Sequence, residues 1–147
     1  DFALLNTIPG VGPITAMTVL AEIGDLRRFE RARQLTAYAG VTPRVIESGS
    51  SVRGRTHMCK RGNERVRHAL YLSAMATLNT KQPNSLSLMH RRLCEDGKEG
   101  KAAIGAVMRK QLTVMRAILI SGEPYDPMFK GCGKRGGEAA LNRRIST

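Results

Sequence analysis

The sequence predicts an all-α, glycine-punctuated domain containing a helix-hairpin-helix, with an irregular serine-bearing loop or short hairpin set between its helices. Three observations predict it. Apolar residues recur at three- and four-residue spacing over several stretches; Gly, Pro or Asn bounds those stretches; and one interval, residues 44–58, loses the period while gathering Ser, Gly and Arg.

Leu4 and Leu5 open a short helical pattern that runs into Ile8-Pro9-Gly10-Val11-Gly12-Pro13, where two glycines permit a tight turn and Pro13 suits the first position of a helix. Thr15, Ala16, Val19, Leu20 and Ile23 continue that helix to a stop at Gly24. The arrangement predicts a helix-hairpin-helix at about residues 4–24, in which Gly10, Gly12 and the helix start offer backbone N–H groups to a DNA phosphate without reading sequence. The alternative is a plain helical corner used for packing, since the turn carries no lysine or arginine.

Asp25 is placed to cap a turn bearing Arg27 and Arg28, and a third helix is expected from about Glu30 to a stop at Gly40, with Phe29, Ala32, Leu35 and Ala39 facing the core. Pro43 biases Thr42 toward extended backbone, so that helix cannot run on. Asn63 caps the next helix, whose inner face reads Val66, Ala69, Leu70, Ser73, Ala74, Thr77, Leu78; its small residues predict close packing. Pro83 breaks the chain, a helix runs from about Ser85 to Cys94, and after Glu95-Asp96-Gly97 a long helix spans about Glu99 to Ser121. Its stripe of Ile104, Val107, Met108, Leu112, Met115, Ile118 and Leu119 reads as core, and Gly122, Pro124 and Pro127 end it. Residues 1–127 thus form one domain, and 128–147 a flexible, basic, Gly-rich tail.

The aperiodic interval carries the candidate chemistry. Ser48, Ser50 and Ser51 interleave with Gly49 and Gly54, and residues 44–67 hold seven basic and two acidic side chains. Glycines let backbone approach a ligand closely, loop N–H groups form anion-binding concavities, and guanidinium forks match phosphate oxygens. Arg44, Arg53, Arg55, Lys60, Arg61, Arg65 and Arg67, with Gly49, are the candidate phosphate-binding residues. A solvated loop with a generic basic face is the plainer alternative.

The 147 residues carry 24 Lys and Arg against 12 Asp and Glu, a balance that favours nucleic acid or another anionic surface. No stretch approaches a membrane span and the N-terminus lacks a signal-peptide pattern. Cys59, Cys94 and Cys132 read as reduced thiols, and neither they nor His57, His68 and His90 have the paired spacing of a zinc site. Gly10-Val11-Gly12-Pro13 lacks the Gly-Lys-Ser/Thr ending of a P-loop.

The ordered set, Ile8 to Pro13 with Thr15-Ala16, Gly40-Val41 with Pro43-Arg44, Ser48-Gly49, and Lys60-Arg61-Gly62-Asn63 followed by Arg67 and a small, apolar helix, resembles the C-terminal transposase (Tnp) domain of the IS-one-ten/Piv (IS116/IS110/IS902-type) family of DNA transposases and invertases. The resemblance covers roughly residues 4–80 well and continues loosely to Pro127. It implies that Ser48 is a nucleophile forming a transient phosphoseryl–DNA link, with Ser50 and Ser51 as alternatives; Gly49 leaves room for the phosphate, and Arg53, Arg55, Lys60 and Arg61 absorb its charge. It further implies an N-terminal RuvC-like domain, not present in this chain, whose acidic residues hold a divalent metal such as Mg and complete a composite site. No cofactor is expected in this chain itself. The implied partners are DNA, a bridge RNA that pairs with donor and target, and further copies of the full-length protein, in the bacterial cytoplasm with the nucleoid. Two other functions compete: a noncatalytic helix-hairpin-helix module that tethers a larger enzyme to DNA, and a ribosome-associated basic protein.

Overall fold

The computed structural model describes residues 1–44, 57–59 and 61–127, with the side chains of residues 44 and 57 outside that description. Its elements follow the order α1 (Phe2–Leu5), α2 (Pro13–Ile23), a 3-10 turn (Leu26–Arg28), α3 (Ala32–Tyr38), β1 (Pro43–Arg44), β2 (His57–Met58), α4 (Glu64–Leu78), α5 (Ser85–Glu95) and α6 (Gly100–Ser121). The fold is all-α, the one departure among the described residues being a two-residue antiparallel ladder that pairs Pro43 with Met58 and Arg44 with His57.

At 22 residues, α6 is about 33 Å long and serves as the spine. It packs against α1, α3, α4, α5 and the 3-10 turn, while α2 lies along α4. The methionine-bearing stripe is core, with Val107, Leu112 and Met115 fully buried and Met108 nearly so. Burying each such side chain contributes about 1.5–3 kcal/mol. Opposite them, α4 turns in Val66, Leu70 and Ala74, with Ser73 and Thr77 on the same buried face, as the spacing predicted.

Helix ends form where the sequence places them. Pro13 takes the first turn of α2, and Gly24 ends that helix at φ 76°. The Asp25 carboxylate accepts the Arg27 N–H, the Asn63 amide oxygen accepts the Val66 N–H, and the Asn84 amide oxygen accepts the N–H groups of Leu86 and Ser87. The third helix is the exception, starting at Ala32 and not near Glu30. The Phe29 and Glu30 carbonyls accept hydrogen bonds from the Arg116 guanidinium of α6, at 2.9 and 2.6 Å, which occupies two acceptors that an earlier helical turn would have used.

One polar chain crosses the core. Gln111, fully buried on α6, donates through Nε2 to the Ser73 and Thr77 hydroxyls at 3.0 and 2.8 Å. The Thr77 hydroxyl lies 2.7 Å from the Pro9 carbonyl and 2.9 Å from that of Ser73, so its single proton serves one or the other. The glycine turn before α2 is thereby docked on α4, which is itself keyed to α6.

Candidate nucleic-acid interface

The chain on either side of the interval that carries Ser48 is drawn together in a narrow neck. Gly40 at φ 71° ends α3, and a methyl added to it would lie 2.9 Å from the Cys59 and Arg61 carbonyl oxygens. Gly62 closes the other side, where a methyl would lie 2.6 Å from the Gly40 nitrogen and the Tyr38 carbonyl oxygen. Two strands of chain pass here backbone against backbone, which only residues without a side chain permit. The Cys59 N–H donates to the Thr42 carbonyl at 2.7 Å, the Pro43–Met58 pair follows, and the Arg67 guanidinium donates to the Gly62 carbonyl at 2.9 Å. Below the ladder, Met58 rests on α6 at Gly105, where a Cβ would meet its methyl carbon at 3.0 Å.

Of the sequence-predicted site residues, Ser48, Gly49, Arg53, Arg55 and Lys60 lie outside the described residues, as do Ser50 and Ser51. Arg44 is placed by its backbone in β1, at the foot of that interval. Arg61 is exposed at the neck. Arg67 is spent on the Gly62 carbonyl. Arg65 reaches back to α2, forming a 3.1 Å ion pair with Glu22, whose other oxygen accepts from the Asn63 amide at 2.6 Å. Those two hydrogen bonds, Asn63 foremost, hold the Glu22 carboxyl below its ordinary value.

Gly10 and Gly12 sit on the wall of a groove of about 690 Å³ that runs between α2 and α4. Gly10, at φ 80°, presses onto α4 so closely that a side chain would overlap the Thr77 hydroxyl. Gly12 is the N-cap of α2, extended, with open space around it and no side chain competing for the free N–H groups behind it. Ile14, 82% exposed, and Leu72 form apolar walls, and the rim carries Arg65, His68 and the acidic Glu64. The charge in this groove is therefore mixed, with its arginine already paired to Glu22.

A second cleft, of about 380 Å³, opens between α3, α6 and the foot of β1, lined by Ala32, Arg33, Thr36, Thr42, Pro43, Arg109 and Thr113. Among the described residues that line it are two guanidinium groups and no carboxylate. Arg109, half-buried on α6, has its pKa lowered by burial alone, and among the described residues no acceptor bonds its guanidinium. Sequence reasoning missed this residue because one arginine in a long helix reads as solvated. The available signal was its spacing, four residues after Gly105 and three before Leu112, at the edge of the buried stripe.

Among the described residues no three His, Cys, Asp or Glu side chains gather to hold a metal ion, and no helix is long and apolar enough to cross a membrane.

A family model described as the Transposase IS116/IS110/IS902 family matches residues 2–90, the stretch that contains the glycine turn, the neck and α4. The chain belongs to this family. It is similar to the pilin gene-inverting protein of Moraxella bovis, 35% identical over 124 residues covering 84% of this chain and 38% of that protein. It is likewise similar to the transposase for insertion sequence element IS1111A of Coxiella burnetii, 34% identical over 127 residues covering 85% of the chain and 34% of the relative. The chain thus spans a little over a third of the length of the curated relatives it matches.

Proposed function

We propose that this chain is the strand-exchange part of a transposase or site-specific recombinase, acting in insertion-sequence transposition, and that the Ser48 hydroxyl takes the cut DNA strand. The serine oxygen attacks a backbone phosphorus in line. The new serine–phosphate bond forms as one bond from phosphorus to a sugar oxygen breaks; that oxygen takes up a proton, and the serine proton passes to a base. Arg53, Arg55, Lys60 and Arg61 meet the charge on the phosphoryl oxygens. Attack by a strand's free hydroxyl then breaks the serine–phosphate bond and joins the strands. The resemblance assigns the base, and a divalent metal, to acidic residues of a RuvC-like domain. The working form is an oligomer of the full-length protein with DNA and a guiding RNA in the bacterial cytoplasm.

The observation that supports this reading most is the neck. It holds residues 40–44 against 57–59 and 61–62 at the edge of the helical body, with Arg61 exposed and Arg67 bonded to Gly62 beside them, within a chain whose relatives include a gene-inverting protein and a transposase. The glycine turn and the start of α2, toward the other end of α4, act as a helix-hairpin-helix contact to the duplex backbone.

The test uses the full-length parent protein with its guide RNA on donor and target DNA. Ser48→Ala is expected to abolish the covalent adduct and to lower strand exchange by about three orders of magnitude or more. Mass spectrometry of the trapped adduct should place it on Ser48; an adduct on Ser50 or Ser51 moves the role there. Undiminished strand exchange in the Ser48→Ala parent would favour the noncatalytic tethering module instead.

A further inference from the structure

We propose that the cleft between α3, α6 and the foot of β1 seats a nucleic-acid backbone phosphate, with Arg33 and Arg109 as the cations that hold it. The proposal deepens the function above, and rests on it in taking the ligand to be a nucleic-acid strand.

Four observations carry it. Among the described lining residues the cleft holds two guanidinium groups and no carboxylate, so the charge these residues bring has one sign. Elsewhere in the described body four arginines are engaged, Arg27 with Asp1, Asp25 and the Leu119 carbonyl, Arg65 with Glu22, Arg67 with Gly62, and Arg116 with Phe29 and Glu30, while Arg61, Arg91 and Arg92 stand exposed in water. Arg109 is half-buried with no such partner among the described residues, and a guanidinium withdrawn from water without an acceptor is a standing expense that an incoming anion removes.

Placement points the same way. The Thr36 and Thr113 hydroxyls donate to the Arg33 and Arg109 carbonyls, leaving the two guanidinium groups and the Thr42 hydroxyl as the donors available to a ligand. Thr42 and Pro43 belong to the strand that enters the serine interval. Ser48 is four steps along the chain from Arg44, so the chain itself limits the span between their Cα atoms to about 14 Å. That is about two nucleotide steps along a strand, on the 3.4 Å per-strand rise doubled by an extended backbone. A phosphate in the cleft would therefore fix the strand near the attacking hydroxyl without taking part in the bond exchange, which makes Arg33 and Arg109 positioning residues.

The experiment measures binding of the 147-residue chain to a fluorescent duplex DNA and to an RNA hairpin over a series of salt concentrations. On whichever nucleic acid occupies the cleft, Arg109→Gln is expected to weaken binding about tenfold and to flatten the salt dependence by about one phosphate contact. Arg33→Gln should act in the same direction, Arg109→Lys should restore the salt slope with only part of the affinity, and Lys110→Gln, one residue along and exposed, should do far less. Thermal unfolding supplies an independent readout: Arg109→Gln, relieved of a desolvated cation, should melt no lower than the parent chain. Equal effects of Arg109→Gln and Lys110→Gln, or an Arg109→Gln chain with unchanged affinity and slope on both ligands, would overturn the proposal. So would a marked loss of thermal stability, since it would give Arg109 a structural role. The binding assay involves no covalent step and the adduct assay involves no change in the cleft, so failure of the serine chemistry and failure of the cleft are separate results.

Discussion

Replacing Gly10 by alanine tests the docking of the glycine turn on α4. Gly10 has φ 80°, where an L side chain costs about 1–2 kcal/mol. The added methyl would also overlap the Thr77 hydroxyl and lie 2.5 Å from the Ser73 carbonyl oxygen and 2.6 Å from the Thr77 nitrogen, all on a helix locked behind by Gln111. Overpacking against backbone adds about 1–3 kcal/mol. The sum, about 2–5 kcal/mol, is a large share of the roughly 5–15 kcal/mol that a domain possesses, and corresponds to a fall in melting temperature of about 10 °C. Gly12→Ala is the control two residues away, at φ −87° with nothing within 4 Å, and should lose no more than about 1 kcal/mol, the difference between Gly and Ala at an N-cap. Far-UV circular dichroism melts of both variants decide the matter. Equal, small shifts would mean that the turn does not sit on α4 as described.

Gly12→Asp separates folding from binding: a carboxylate N-cap should raise the stability of α2 by a few tenths of a kcal/mol while weakening duplex binding several-fold, if that helix start meets a phosphate. Unchanged binding affinity would remove the turn from the interface. Glu22→Gln tests the pairing across α2 and α4. Because the folded carboxyl is held below its ordinary 4.5, its contribution is present above that value and is lost as pH falls through the folded value. Denaturation midpoints taken from about pH 6 down to about pH 3 should therefore fall more steeply for the parent chain than for Glu22→Gln. Parallel curves would deny the linkage.

Most of the helical body was legible because its signals are local. Pro13, Asn63 and Gly122 mark ends that form where periodicity and capping chemistry put them, and the small residues Ser73, Ala74 and Thr77 announce the close approach of α4. What escaped depends on partners distant in sequence. Nothing near Glu30 says that Arg116, 86 residues later, will take its carbonyl and delay α3. Nothing near Gln111 says that its amide will find Ser73 and Thr77. The candidate site divides the same way. Gly10 and Gly12 were recognised as a special turn, yet Gly10 serves packing against Thr77, while the exposed-looking Arg65 and Arg67 turn back onto Glu22 and Gly62. Arg33 and Arg109 went unnoticed because a cleft is a property of three elements meeting.

The meeting of Gly40 and Gly62 makes the stretch between them a parenthesis in the folding of the chain. Helices on either side reach their packing once the two glycines touch, and the entropy of closing such a span grows by only about 0.6 kcal/mol for each doubling of its length. Val41 and Met58, just inside the brackets, still pack on the apolar interior, so the glycine contact fixes the two ends of the span to the core. A side chain at either glycine would therefore disturb at once the packing of the interior and the register in which Pro43 meets Met58.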